Sequence, residues 1–190
     1  MKIICFGDSN TYGYDPRAYF GGRYAADSRW VDILAEKGGH ETVNYGQNGR
    51  SIPAYREEIE LYGRIFEGEK ADFLIIMLGS NDILSGLNPK AACARMERLI
   101  NSLPIERRRI LLVAPPVLRE GAWVEGDRQI EASRILADMY RQLAGNLGLH
   151  FADSGKWAVD IAHDGVHFSA RGHRIFAEEI HKVIEIIKEI

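Results

Sequence analysis

The sequence predicts an α/β fold, a three-layer α/β/α sandwich around a five-stranded parallel sheet, on three observations. Five short apolar runs alternate with longer stretches of helical periodicity, with no internal repeat. Two of the runs, 72–78 beyond its leading Asp72 and 110–114, are apolar throughout, as strands covered on both faces must be. Three of the runs end in short polar motifs, Gly7-Asp8-Ser9-Asn10, Gly46-Gln47-Asn48-Gly49 and Gly79-Ser80-Asn81-Asp82. Right-handed crossovers place all strand carboxyl ends on one rim, where open α/β sheets bind ligands.

Taken in order, Lys2-Ile3-Ile4-Cys5 reads as the first buried strand, and residues 12–27, with Asp15-Pro16 and Gly21-Gly22 as turn signals, as a long loop. Ser28 is the expected N-cap of a helix over 29–37 with Trp30, Ile33 and Leu34 on one face and Gly38-Gly39 as its stop. Residues 42–45 form the second strand, and Pro53 opens a helix to about residue 67, in which Ile59, Tyr62 and Phe66 recur at helical spacing. After the third strand, 72–78, come a helix over 89–102, the fourth strand and the stop Pro115-Pro116. A loop over 117–126, a helix over 127–147, a weak fifth strand over 149–152 and a loop over 153–167 follow. Ser169 caps a last helix carrying Ile175, Phe176, Ile180, Val183, Ile184 and Ile187 on its apolar face.

The 190 residues are read as one domain, 1–190, large enough to bury a core without metal or disulfide support. A net charge of −3 gives no reason to expect nucleic acid or a membrane surface as partner, and Arg107 to Arg109 read as a solvated turn. Cys5 and Cys93 fall in apolar positions, as buried small hydrophobes rather than a bridge. With no signal-peptide core and no apolar stretch of membrane-spanning length, the chain is read as cytoplasmic. Nothing in the sequence fixes an oligomeric state.

Nucleophilic catalysis by a serine needs a base in hydrogen-bond reach, a group to orient that base, and donors for the oxyanion. Ser9, at a strand's carboxyl end, is the candidate nucleophile. Of six histidines, His40 and His150 fall at the opposite rim, and His173 and His181 lie on or near the polar side of the last helix. His163 and His167 remain, in Ala162-His163-Asp164-Gly165-Val166-His167. The three-residue spacing lets Asp164 reach one nitrogen of His167 across a turn, leaving the other to face Ser9. His163 is the second choice. Each motif alone is weak, and Ser9 alone reads more readily as a turn residue; their convergence on one rim favours chemistry.

Gly7-Asp8-Ser9, the glycine-bearing loop after the second strand, Gly79-Ser80-Asn81-Asp82 and Asp164-Gly165-Val166-His167 together resemble the four sequence blocks of the SGNH (GDSL-type) hydrolases, in the family's order, from residue 3 to about 180. The first block reads GDSN where GDSL is commoner, at a position that is not a catalytic group. The resemblance implies a flavodoxin-like SGNH hydrolase fold and a serine esterase with no cofactor. Ser9 would be the nucleophile, His167 the base and Asp164 its partner. The oxyanion donors would be the N–H groups of Ser9 and Gly49 and the Asn81 amide. Gly46 is the alternative to Gly49, which is preferred because it lies further out along the loop and lets substrate approach its backbone. Asp8 and Asp82 read as turn supports.

The loop after Gly13, the Arg29-Trp30 pair and Pro115-Pro116 look like the arylesterase and acyltransferase branch. That branch implies short-chain, acetyl-type ester substrates, with transfer to alcohols as a further outcome. Carbohydrate acetyl esters are the close alternative, with lysophospholipase or thioesterase activity behind them; no lid insertion suggests a long-chain lipase. Tyr12, Tyr14, Trp123 and Val124 are the candidate substrate-binding residues. Three rivals stand beside this reading. One is a metal hydrolase built on the His163, Asp164, His167 spacing, for which no third ligand is evident. The second is a non-catalytic flavodoxin-like module whose first loop cradles a phosphate, and the third a hydrolase that has lost activity and serves as an interaction protein.

Overall fold

The computed structural model describes residues 1–18 and 22–189. Five strands, β1 (Lys2–Gly7), β2 (Glu41–Gly46), β3 (Phe73–Met77), β4 (Ile110–Ala114) and β5 (His150–Asp153), form one sheet in the order β2-β1-β3-β4-β5. Every neighbouring pair is parallel. The helices are α1 (Ser9–Tyr12), α2 (Trp30–Gly38), α3 (Arg56–Glu69), α4 (Ser80–Leu84), α5 (Pro89–Ser102), α6 (Asp127–Leu147) and α7 (Ala170–Lys188).

The two-residue period of the strands divides the apolar side chains between two cores. Ile4, Phe6, Leu74, Ile76, Ile110 and Leu112 pack with α3, α5 and α6 on one face of the sheet. Ile3, Cys5, Phe73, Ile75, Leu111 and Val113 pack with α2 and α7 on the other. These are the three layers expected. The strand order reverses between β1 and β3, and such a switch point opens a crevice at the strands' carboxyl ends. Ser9 follows β1 and Asn81 follows β3, so both fall at that crevice.

Local chemistry shifts several of the expected boundaries. Pro53 does not open a helix: Ile52 and Pro53 are buried in an extended segment whose Ile52 N–H donates to Asp82, and α3 starts only at Arg56. Ser28 is not an N-cap, because residues Ala26–Ser28 form a short 3-10 turn and Arg29 takes the cap position of α2 without a side-chain bond. The strand after α6 runs one residue later than expected. The polar motifs after β1 and β3 each wind into a single helical turn, α1 and α4. Asn88 caps α5 and, as expected, Ser169 caps α7. Gly21 of the Gly21-Gly22 turn signal lies outside the described residues.

His173 overturns its reading as a residue on or near the polar side of α7. It is wholly buried, accepting from the Trp30 N–H through Nδ1 at 3.4 Å and packed edge-on against Tyr24 and Phe168. Burial, helped by the Arg29 charge, pushes its pKa down to about 3, so it is neutral. Both cysteines are buried and free, and among the described residues no helix is long and apolar enough to cross a membrane.

Candidate active site

Asp8 follows β1 and starts the turn. Its carboxylate accepts the Asn10 N–H at 3.0 Å, capping α1 and presenting Ser9 as the first helical residue. Burial raises the Asp8 pKa to about 6, against the lowering effects of the Asn10 N–H, His167 and Arg50.

Asp164 lies in the turn before α7, and each of its oxygens is occupied. Oδ1 accepts the N–H groups of Val166 and His167, both at 2.9 Å, which closes the turn and brings the His167 ring back over the carboxylate. Oδ2 sits 2.8 Å from His167 Nδ1. Burial alone would raise the Asp164 pKa, but the His167 side chain and the two backbone donors outweigh it and hold the carboxyl below its ordinary value. An ionised carboxylate only accepts, so Nδ1 carries the ring proton and Nε2 is left as an acceptor. Ser9 Oγ lies 2.9 Å from that Nε2 and donates to it. Asp164 and His167 are each only 2% exposed. With both nitrogens of His167 committed and His163 exposed, the His163, Asp164, His167 spacing does not form a ligand set.

Two loops wall the site. Residues 119–124 are laced to the Asp164 turn by Arg119 N–H to the Gly165 carbonyl at 3.0 Å and Trp123 N–H to the Asp164 carbonyl at 3.0 Å. Two glycines allow this approach. A Cβ on Gly121 would meet the Asp164 backbone at 2.4 Å, and one on Gly165, whose φ is +84°, would meet the Arg119 carbonyl oxygen at 2.2 Å. Trp123 is thereby set edge-on to the His167 ring, centroids 4.9 Å apart, with Tyr14 on the same ring at 4.5 Å.

Between these walls lies a cavity of about 310 Å³, lined by Ser9, Tyr14, Asn48, Gly49, Asn81, Leu84, Trp123, Val166 and His167. Tyr14 and Trp123 are thus brought to the cavity; Tyr12 and Val124 are not. Arg23 stacks on the Tyr12 ring at 4.6 Å, and Val124 is buried against Gly165. Asn48, from the motif after β2, lines the cavity, and Leu84 lines it without having been singled out. Leu84 carries no sequence signal, because its place depends on α4 forming at all.

The two glycines of the β2 loop are separated by their surroundings. The Gly46 N–H is taken by Asn44 Oδ1 at 2.9 Å, and a Cβ there would strike the Tyr12 backbone nitrogen at 2.1 Å, so Gly46 serves packing. Gly49, with φ at +73°, faces the cavity. The Asn81 side chain donates to the Arg50 carbonyl at 3.0 Å, which fixes its amide and leaves one N–H free. Asp82 ties this corner together, accepting from the Ile52 N–H at 2.9 Å and Arg95 at 3.1 Å.

Asn10 is the residue whose part the sequence reading left open. It is buried, donates its amide to the Val166 carbonyl at 3.1 Å and accepts the Phe168 N–H at 2.8 Å, so it clasps the strand of chain bearing His167 to the turn bearing Ser9. The Trp30 indole N–H donates to the Asn10 carbonyl at 3.0 Å and holds that turn from the α2 side.

A serine, an imidazole with an acceptor nitrogen on it, and a buried carboxylate behind the imidazole can together activate a hydroxyl toward an acyl carbon. The family model for GDSL-like lipases/acylhydrolases matches residues 5–175. The chain belongs to the GDSL-like lipase/acylhydrolase family. It is accordingly a serine ester hydrolase of α/β/α architecture. Among solved structures it is similar to a candidate arylesterase from Agrobacterium tumefaciens strain C58, at 32% identity over 98% of this chain and 99% of that one, with a TM-score of 0.83. A carbohydrate acetylesterase family member from Sinorhizobium meliloti is 29% identical over 100% and 99% of the two chains, also with a TM-score of 0.83. The aryl esterase of M. smegmatis, 23% identical over 98% and 99%, shares the fold with a TM-score of 0.86. Among curated proteins, no sequence matches.

Proposed function

We propose that this GDSL-type hydrolase cleaves short-chain, acetyl-type esters through an acyl-enzyme on Ser9. The observation that carries the reading is the unbroken relay from Asp164 through His167 to Ser9, at 2.8 and 2.9 Å, opening into a cavity of about 310 Å³. As Ser9 Oγ attacks the ester carbonyl carbon, its proton passes to His167 Nε2, and Asp164 stabilises the imidazolium that forms. The tetrahedral oxyanion is met by the N–H groups of Ser9 and Gly49 and the free N–H of Asn81. Collapse expels the alcohol, which takes the proton back from Nε2 and leaves acyl-Ser9. Water, or a second alcohol, then adds to the acyl carbon with His167 again as base, and Ser9 is regenerated.

The apolar walls, Tyr14, Leu84, Trp123 and Val166, and the small cavity favour an acetyl-sized acyl group over a fatty chain. A second reading, acetylated sugars, is favoured by a polar hollow of about 360 Å³ that meets the cavity at Gly49. Gln47, Arg50, Ser51, Glu58 and Arg95 line it and offer donors and acceptors to hydroxyl groups. The test is a panel of esters from acetyl to decanoyl, with acetylated sugars, run on wild type and Ser9→Ala. Hydrolysis that peaks at acetyl and disappears in Ser9→Ala is expected. Equal rates in both proteins would remove Ser9 from the mechanism, and a maximum at decanoyl would overturn the short-chain reading.

A further inference from the structure

At the amino-terminal edge of the sheet, on the rim opposite Ser9, a second cluster of chemistry-bearing side chains has no part in ester hydrolysis. Gly39 caps α2 in the left-handed conformation, and His40 then folds back so that its N–H donates to the Ala35 carbonyl at 3.0 Å. This turns the His40 ring inward, against α7. His40 is 8% exposed, and neither ring nitrogen has a hydrogen-bond partner. A neutral imidazole always presents one donor and one acceptor, and two unmet groups on one buried ring call for an occupant. Facing it from α7, His181 and Glu185 stand one turn apart on one face of the helix. His181 Nδ1 is also buried without a partner. One donor atom from each of His40, His181 and Glu185 lies within 4.8 Å of the others.

We propose that His40, His181 and Glu185 bind a divalent transition-metal ion, zinc by their donor chemistry, which staples the end of α2 to α7. Two imidazoles and one carboxylate are a ligand set for zinc, with solvent as the fourth ligand. Tetrahedral ligands about 2.0–2.1 Å from zinc sit roughly 3.4 Å apart, so the donors close by no more than about 1.4 Å, within reach of side-chain rotation on α7. Lys188 holds Glu185 Oε1 at 2.9 Å and leaves the other carboxylate oxygen to the cluster.

The test uses the untagged full chain stripped of metal, titrated with Zn²⁺ by calorimetry and with Co²⁺ for its visible absorption. One Zn²⁺ per chain, a thermal midpoint that rises with Zn²⁺, and binding weakened by about 100-fold or more in His181→Ala and in Glu185→Gln are expected. Ester hydrolysis by both variants should equal that of wild type. His181 and Glu185 are only partly buried, so these variants report on binding without emptying the core. Absence of stoichiometric binding by wild type would overturn the proposal. So would binding undiminished in both variants, with inhibition of hydrolysis, since that places the ion at His167.

Discussion

Asn10 accepts the Phe168 N–H at 2.8 Å, and through this bond the residue after Ser9 is tied to the residue after His167. The same amide donates to the Val166 carbonyl at 3.1 Å, so one side chain spans both sides of the base. Substituting Asn10 by Leu leaves a buried N–H and a buried carbonyl unpaired, at about 1–3 kcal/mol each. The expected outcome is a lower urea midpoint together with a kcat reduced on the order of tenfold at nearly constant KM, because a small displacement of His167 affects proton transfer rather than binding. An unchanged kcat in the folded protein would leave Asn10 a stabilising residue only.

Asn81 lines the cavity with one amide hydrogen fixed on the Arg50 carbonyl and the other free. Asn81→Ala should lower kcat by about 10²–10³, close to 3 kcal/mol of transition-state stabilisation, and change KM little. A loss confined to KM would show that the amide holds substrate rather than the oxyanion.

How far the sequence carries toward this site follows from range. The sheet was legible because each strand is a short apolar run, and Ser9, Asp164, His167 and Asn81 were legible because each sits in a motif anchored to a strand end or a three-residue turn. Asn10 was not, because its partners Val166 and Phe168 lie more than 150 residues away, and nothing in Gly-Asp-Ser-Asn indicates them. His173 was misjudged because helical periodicity puts it beside polar neighbours, while Trp30, Tyr24 and Phe168 close over it in space. Tyr12 and Val124 sit beside cavity residues in sequence, but the turn of α1 and the lacing of the 119–124 loop point them elsewhere.

Asp164 is held ionised by three donors, and in Asp164→Asn the neutral amide no longer fixes the His167 tautomer. A fall in kcat of about 10⁴ is expected, with the protein still folded. Stopped assays on acetyl esters across pH check it: a loss smaller than tenfold would mean that the His167 ring keeps its orientation without the carboxylate.

Trp123 is 54% exposed and forms one wall of the cavity, edge-on to His167. Trp123→Ala should open that wall without unsettling the core, moving the best substrate from acetyl toward butyryl or hexanoyl esters and raising KM for the acetyl ester. An unaltered chain-length profile would place the acyl group elsewhere, against Leu84 and Val166.

His173 and Asp8 act in opposite directions as the protein is acidified. The His173 pKa falls from 6.5 to about 3 on folding, so between those values the unfolded chain holds a proton that the folded chain does not, and stability is lost as pH falls. The Asp8 pKa rises from 3.8 to about 6, so its contribution is fully present below 3.8, is lost as pH rises through 6, and therefore grows on acidification. Between pH 6 and 4 these two contributions largely offset each other. Asp8→Asn keeps the acceptor for the Asn10 N–H but removes the counterweight, and should steepen the acid loss by roughly 1 kcal/mol per pH unit in that window. His173→Gln should do the reverse, gaining stability relative to wild type as pH drops from 6.5. Parallel stability curves for wild type and both variants would show that neither group titrates differently in the folded and unfolded chains.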